Sequence, residues 1–121
     1  DKTNLLPSAR KLHELGFKLY ATSGTADKLR EHNIPVQVVY RIRESKHPDA
    51  LDLMRQGKIS FIVNVPTISG GAVRDGNMMR RLAVELNIPF VTTIRGADME
   101  VSAIAAQRVG EMEPVRLEVN Y

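Results

Sequence analysis

Apolar positions along this chain alternate between a helical spacing and short continuous runs. Leu5, Ala9, Leu12 and Leu15 fall three or four residues apart, which predicts a helix over residues 4–15 stopped at Gly16. Phe17 to Thr22 is a compact aromatic and aliphatic run, so it reads as a strand that enters a tight turn at Ser23-Gly24. A second helix is expected from Thr25 through Ala26 and Leu29 to His32-Asn33, followed by a strand from Pro35 to Tyr40. Residues 41–48 keep neither period, and Pro48 restricts His47, which makes a loop ahead of a helix from Asp49 to Gly57. Ile59 to Val65 is the most continuous apolar run and predicts a central parallel strand covered on both faces.

Residues 66–76 read as a glycine-rich loop, and Met78, Met79, Leu82, Ala83 and Leu86 then mark a fourth helix ending near Asn87. Pro89 to Ile94 predicts a strand, Ala97 to Val109 a last helix, and the alternation of Val115 to Val119 an edge strand. Strands and helices in strict alternation give the α/β class: a three-layer α/β/α arrangement with a mostly parallel sheet. Neither repeats nor linkers interrupt it, so residues 1–121 are expected to form one domain. The chain starts on a helix that a strand normally feeds, so a truncated first strand and a fragment of a longer chain are expected.

Composition narrows the function. The absence of cysteine removes disulfides and thiolate metal sites and suits a cytoplasmic setting. No apolar run is long enough for a bilayer span, so no membrane partner is expected. The 17 basic and 14 acidic residues are spread along the chain, with no Trp, three Phe and three Tyr; nucleic acid is not an expected partner, and a small anion is. The three histidines, His13, His32 and His47, show no metal-ligand spacing, so no metal is expected, and there is no nucleophile elbow.

In an open α/β sheet ligands bind beyond the carboxyl ends of the strands. Thr22, Ser23, Gly24 and Thr25 stand there at a helix start, where hydroxyls and amide groups suit a phosphate; the bland reading, a capped turn, has about equal weight on this motif alone. Asn64, Thr67, Ser69, Gly70 and Gly71 form a second such place, without the Gly-Lys-Ser/Thr ending of a P-loop. Thr92-Thr93 is a third, though β-propensity alone explains the pair about twice as readily. Lys2, Arg41, Arg43 and Lys46 are the candidate cations, whereas Arg80 and Arg81 point about 100° apart on a helix and cannot both serve one ligand.

Asp1-Lys2, Ala21 to Ala26, Val63-Asn64, Asp75, Arg80-Arg81 with Ala83, and Ile88-Pro89 with Thr92-Thr93 occur in an order that resembles the methylglyoxal-synthase-like domain family. Within it, residues 62–93 look most like the C-terminal domain of carbamoyl phosphate synthetase large chains. The resemblance implies a five-stranded parallel sheet and an allosteric, non-catalytic domain in pyrimidine and arginine biosynthesis. Its ligand would be a phosphorylated effector such as uridine or inosine monophosphate (UMP or IMP). It implies that Lys2, Thr22, Ser23, Gly24, Thr25 and Arg41 hold the effector phosphate. Asn64 and Thr67 would contact it from the second loop, Thr67 in place of a threonine that aligns with Pro66, while Lys46, His47, Asp75 and Thr93 are secondary candidates. The domain itself would need no cofactor; the parent ligase would use ATP and Mg, with its other domains and a glutaminase small subunit as partners.

Two enzyme readings compete. Methylglyoxal synthase needs a carboxylate base and a polarising histidine; those positions align with His47 and Ala72, a second acidic position is kept as Asp75, and a two-residue shift would bring Asp49 to the base position. Asp1-Lys2-Thr3 and Ser45 to Pro48 resemble pieces of an inosine monophosphate cyclohydrolase, but the stretch from Asn64 to Thr93 favours the synthetase.

Overall fold

The computed structural model describes residues 5–65, 70–107 and 116–120. In chain order the elements are α1 (Leu6–Glu14), β1 (Lys18–Ala21), α2 (Ser23–Glu31), β2 (Gln37–Val38), a 3-10 turn (Ile42–Glu44), α3 (Ala50–Arg55), β3 (Phe61–Asn64), α4 (Gly70–Leu86), β4 (Phe90–Val91), α5 (Ile94–Gln107) and β5 (Arg116–Asn120). Chain reversals after the helices use the left-handed region expected of such stops: Gly16 and Gly57, with φ of 94° and 74°, and Asn33 and Asn87, with φ of 60° and 58°.

The strands form one five-stranded sheet in the order β2-β1-β5-β3-β4, all neighbours parallel. Successive side chains of β1 and β3 point to opposite faces, and the two clusters they join assign the helices to those faces. Leu19, Ala21, Phe61 and Val63 point into a core completed by Leu5 ahead of α1, Ala9 and Leu12 of α1, Ala26 and Leu29 of α2, and Ala97 and Val101 of α5. Tyr20 and Ile62 point the other way, onto Ala50, Leu53 and Met54 of α3 and Met79 and Ala83 of α4. The three-layer α/β/α expectation is met, with β3 buried along its whole length as its unbroken apolar run predicts.

Three expectations are corrected. The run from Val115 to Val119 reads as an edge strand, yet β5 is central: Lys18–Ala21 pairs with Arg116–Val119 on one side and Phe61–Asn64 with Leu117–Asn120 on the other. Side-chain alternation reports faces, whereas position in the sheet is set by backbone pairing, and the five positions are filled by strands of this chain. Ser23 and Gly24 are the first turn of α2 rather than a separate tight turn. The glycine-rich loop is largely helix, since α4 begins at Gly70, eight residues before the expected start at Met78. Tertiary contacts override the weak helix propensity of glycine there: Asp75, in this stretch, is buried and receives Arg43 from the turn after β2.

Candidate functional site

The pairings align the carboxyl ends of the strands. Ala21 lies beside Val119 and Val119 beside Val63, so Thr22 and Asn64 flank Asn120 at one level, roughly 10 Å apart across two strand spacings. Val63 pairs with Val91, which puts Thr92 next to that level, and Val39 donates its N–H to the Ala21 carbonyl at 2.9 Å, which brings Arg41 to the same rim. The fold thus brings Thr22, Asn64 and Thr92, one residue from each of the three places singled out in the sequence, to the carboxyl edge of the sheet. Lys2, Pro66, Thr67 and Ser69 lie outside the described residues. A shallow cleft of about 400 Å³ lined by His13, Phe17, Lys18, Pro35 and Gln37 sits at the opposite, amino-terminal end of β1 and β2. Among the described residues no helix starts at that cleft, so the candidate crevice is placed at the carboxyl edge, where the first turn of α2 offers amide groups.

At the first place, Thr22 is the buried N-cap of α2 with extended backbone, and its carbonyl accepts the N–H of Ala26 at 2.8 Å. The N–H groups of the first helical turn, Ser23 to Thr25, have no intrahelical acceptor and carry the positive end of the helix dipole. Thr25 is 2% exposed, and its Oγ1 is buried without a hydrogen-bond partner. Leaving a hydroxyl in that state costs free energy, which makes Thr25 the polar group of this helix start whose burial the fold itself does not offset.

The candidate cations divide. Arg41 is half-buried; its guanidinium lies 3.8 Å from Glu44, and its N–H donates to the same carboxylate at 2.8 Å. Arg43 is turned away to Asp75, donating to Oδ2 at 2.7 Å, so Asp75 is the anchor of the turn after β2. Lys46 is exposed above the Tyr40 ring, 5.7 Å from its centroid. Arg80 lies 5.3 Å from the Phe90 centroid, which separates it from Arg81 as helix geometry requires.

Asn64, 8% exposed, ends β3 against Gly76 of α4. Thr93 is exposed and precedes α5; its Oγ1 accepts the N–H of Gly96 at 2.9 Å, so that hydroxyl also has a capping role. Sequence reasoning missed Asn120, Gly76 and the Arg43–Asp75 pair. Only the strand order reveals the first, and the other two depend on contacts between distant segments that no local motif signals.

No two histidines come together at metal-ligand spacing in the sequence, but folding gives His47 two carboxylate neighbours. Donor atoms of His47, Asp49 and Asp52 lie within 4.8 Å of one another. These groups are already used as a helix cap: Asp49 Oδ1 accepts the Asp52 N–H at 3.0 Å, and Asp52 Oδ2 accepts the Asp49 N–H at 2.9 Å and contacts His47 Nδ1 at 2.6 Å. The hydrogen bond to Asp52, and then its charge, hold His47 protonated to a higher pH than the usual 6.5. The Asp49 backbone N–H, followed by His47, holds Asp52 below its usual 3.8. The His47 contribution to stability is therefore complete below pH 6.5 and lost as pH rises through its raised pKa. That of Asp52 is present above 3.8 and lost as pH falls through its lowered pKa. Titrating the imidazole by NMR should show the His47 midpoint drop toward 6.5 in Asp52→Asn; an unmoved midpoint would mean the pair does not form in solution.

The family model for the MGS-like domain matches residues 4–92. A carbamoyl phosphate synthase large chain, C-terminal section, from Methanocaldococcus jannaschii is 48% identical over 119 residues, covering 98% of this chain and 19% of the relative. The large chain of Thermoplasma acidophilum is 37% identical over 113 residues, or 93% of this chain and 11% of the relative. That of Pasteurella multocida is 43% identical over 100 residues, or 81% and 9%. The chain thus spans a fifth or less of the length of these curated relatives. With α/β layering, a parallel sheet, and a helix start at its carboxyl edge, sequence and architecture agree: the chain belongs to the family of MGS-like domains.

Proposed function

We propose that this chain is the effector-binding regulatory domain of a carbamoyl phosphate synthase large chain, and that its ligand is a phosphorylated nucleotide-type metabolite of the UMP or IMP kind. The observation that carries the proposal is the buried, unpartnered hydroxyl of Thr25 in the first turn of α2. A phosphate oxygen there accepts from Thr25 and from the first amide groups of the helix, in a charge-assisted arrangement. Thr22 borders the same turn, Arg41 supplies positive charge from the adjoining rim, and Asn64 faces the other end of the ligand. Lys2 and Thr67 are proposed to close the site. Regulation follows only if the ligand binds one state of the parent more tightly than another. The parent would work in the cytoplasm with ATP and Mg in other domains and ammonia from a glutaminase subunit; among the described residues no helix is long and apolar enough to cross a membrane.

Two observations weigh against methylglyoxal synthase activity. Asp75 is tied to Arg43, and Asp49 spends its carboxylate on the N-terminus of α3, so neither is poised as a base. Calorimetry with UMP, IMP and phosphoribosyl pyrophosphate tests the proposal. Saturable binding of at least one, weakened by inorganic phosphate, is the expected result. No binding of any, or methylglyoxal released from dihydroxyacetone phosphate, would overturn it.

A further inference from the structure

We propose that Gly76 is a positioning residue, whose missing side chain lets the Asn64 carboxamide lodge against α4 and so sets the geometry with which this crevice meets its ligand. The proposal rests on the effector reading above and adds the element that shapes the second half of the site.

Gly76 is buried in the interior of a 17-residue helix, where glycine is unfavourable compared with alanine. Its positional reason is a neighbour. A Cβ on Gly76 would stand 2.5 Å from Asn64 Nδ2, with Asn64 Cγ at 3.6 Å and Oδ1 at 3.9 Å. Non-bonded carbon and nitrogen settle near 3.5 Å, so a methyl group there would force the carboxamide back by about 1 Å. Asn64 would yield by rotating its carboxamide, which re-aims the donor and acceptor it presents. Its backbone is pinned in β3 by pairing with Asn120, and the residue is 8% exposed. A displacement of this size at a polar contact is enough to break a hydrogen bond.

The residue before Gly76 reinforces the arrangement. Asp75 receives the Arg43 guanidinium at 2.7 Å, and the Arg43 stem runs over Gly71, where a Cβ would stand 2.8 Å from Arg43 Cδ. The first two turns of α4 therefore seat two side chains from different strand ends, Arg43 from the turn after β2 and Asn64 from β3. Small residues at 71 and 76 make both seats. In a synthase whose effector touches Asn64, α4 is the element that feels it.

A double-mutant cycle in the full-length protein reads this directly, with calorimetry against UMP and IMP and thermal unfolding of each variant. Gly76→Ala is expected to weaken binding roughly fivefold or more, the size of one lost neutral hydrogen bond, and to do so only while Asn64 is present. In the Asn64→Ala background the same substitution should leave affinity unchanged and raise the melting temperature, since alanine then improves the helix with nothing to strike. Equal weakening in both backgrounds, or no weakening with Asn64 intact, would overturn the proposal. If the unaltered protein binds neither nucleotide, the effector reading fails on its own. The crystallographic position of Asn64 in Gly76→Ala then decides the positioning: an unmoved carboxamide ends it, and a displaced one upholds it.

Discussion

Thr25→Val is expected to make this protein more stable and a poorer binder at once. The side chain is 2% exposed, and its hydroxyl has no partner. Valine keeps the shape and the β-branching while removing a polar group whose unmatched burial costs about 1–3 kcal/mol. Recovering even the lower end of that range corresponds to a rise of about 4 °C in the melting temperature for a domain of this size. Binding moves the other way. A hydrogen bond to a phosphate dianion contributes about 1.5–3 kcal/mol, so its loss weakens affinity roughly 10- to 100-fold. Thermal unfolding and calorimetry on the same variant read both signs. A less stable Thr25→Val would show that the hydroxyl is satisfied in solution, and undiminished binding would show that the ligand does not use it.

How far the sequence alone reaches can be judged from particular residues. Helix stops were legible because Gly16, Asn33, Gly57 and Asn87 are the residue types that tolerate positive φ, and each adopts it. The strand from Ile59 to Val65 announced its central burial through composition alone, and β3 is buried throughout. The position of Thr22 to Thr25 and Asn64 at the carboxyl edge was legible too, because they lie immediately beyond apolar runs, and parallel strands deliver such positions to one edge. What stayed hidden was set by contacts far apart in the chain. Gly70 to Gly76 has the local character of a loop, and its helicity is expressed alongside the contacts it makes with Arg43 and Asn64. The state of the Thr25 hydroxyl, unpartnered rather than capping, also follows only from three-dimensional surroundings. So does the central place of β5, since alternation in a strand is the same at an edge and in the middle.

The same distant contact carries the largest expected loss of stability. Arg43 and Asp75 are separated by 32 residues, and the pair is uneven: the Asp75 side chain is 3% exposed and that of Arg43 39%. Removing the guanidinium leaves a buried carboxylate without its partner, which costs about 3–5 kcal/mol in fully buried pairs; solvent at the arginine end reduces the expectation for Arg43→Met to about 2 kcal/mol. The damage should be repairable by chemistry of the opposite kind. In Arg43→Met with Asp75→Leu no charge remains to be stranded, so most of the lost stability returns. Denaturant unfolding of the two variants separates the cases, and a double variant as unstable as Arg43→Met alone would mean that packing of the arginine stem over Gly71, not the charge pair, holds the turn. Ligand affinity adds a second readout. The turn anchored by Asp75 begins beside Arg41, so loosening it moves the cation that the proposed phosphate site draws from this rim, and Arg43→Met is expected to weaken nucleotide binding although Arg43 itself is committed elsewhere. The double variant should then recover stability without recovering affinity, because methionine and leucine restore a packed surface but not the directional bond that fixes the turn.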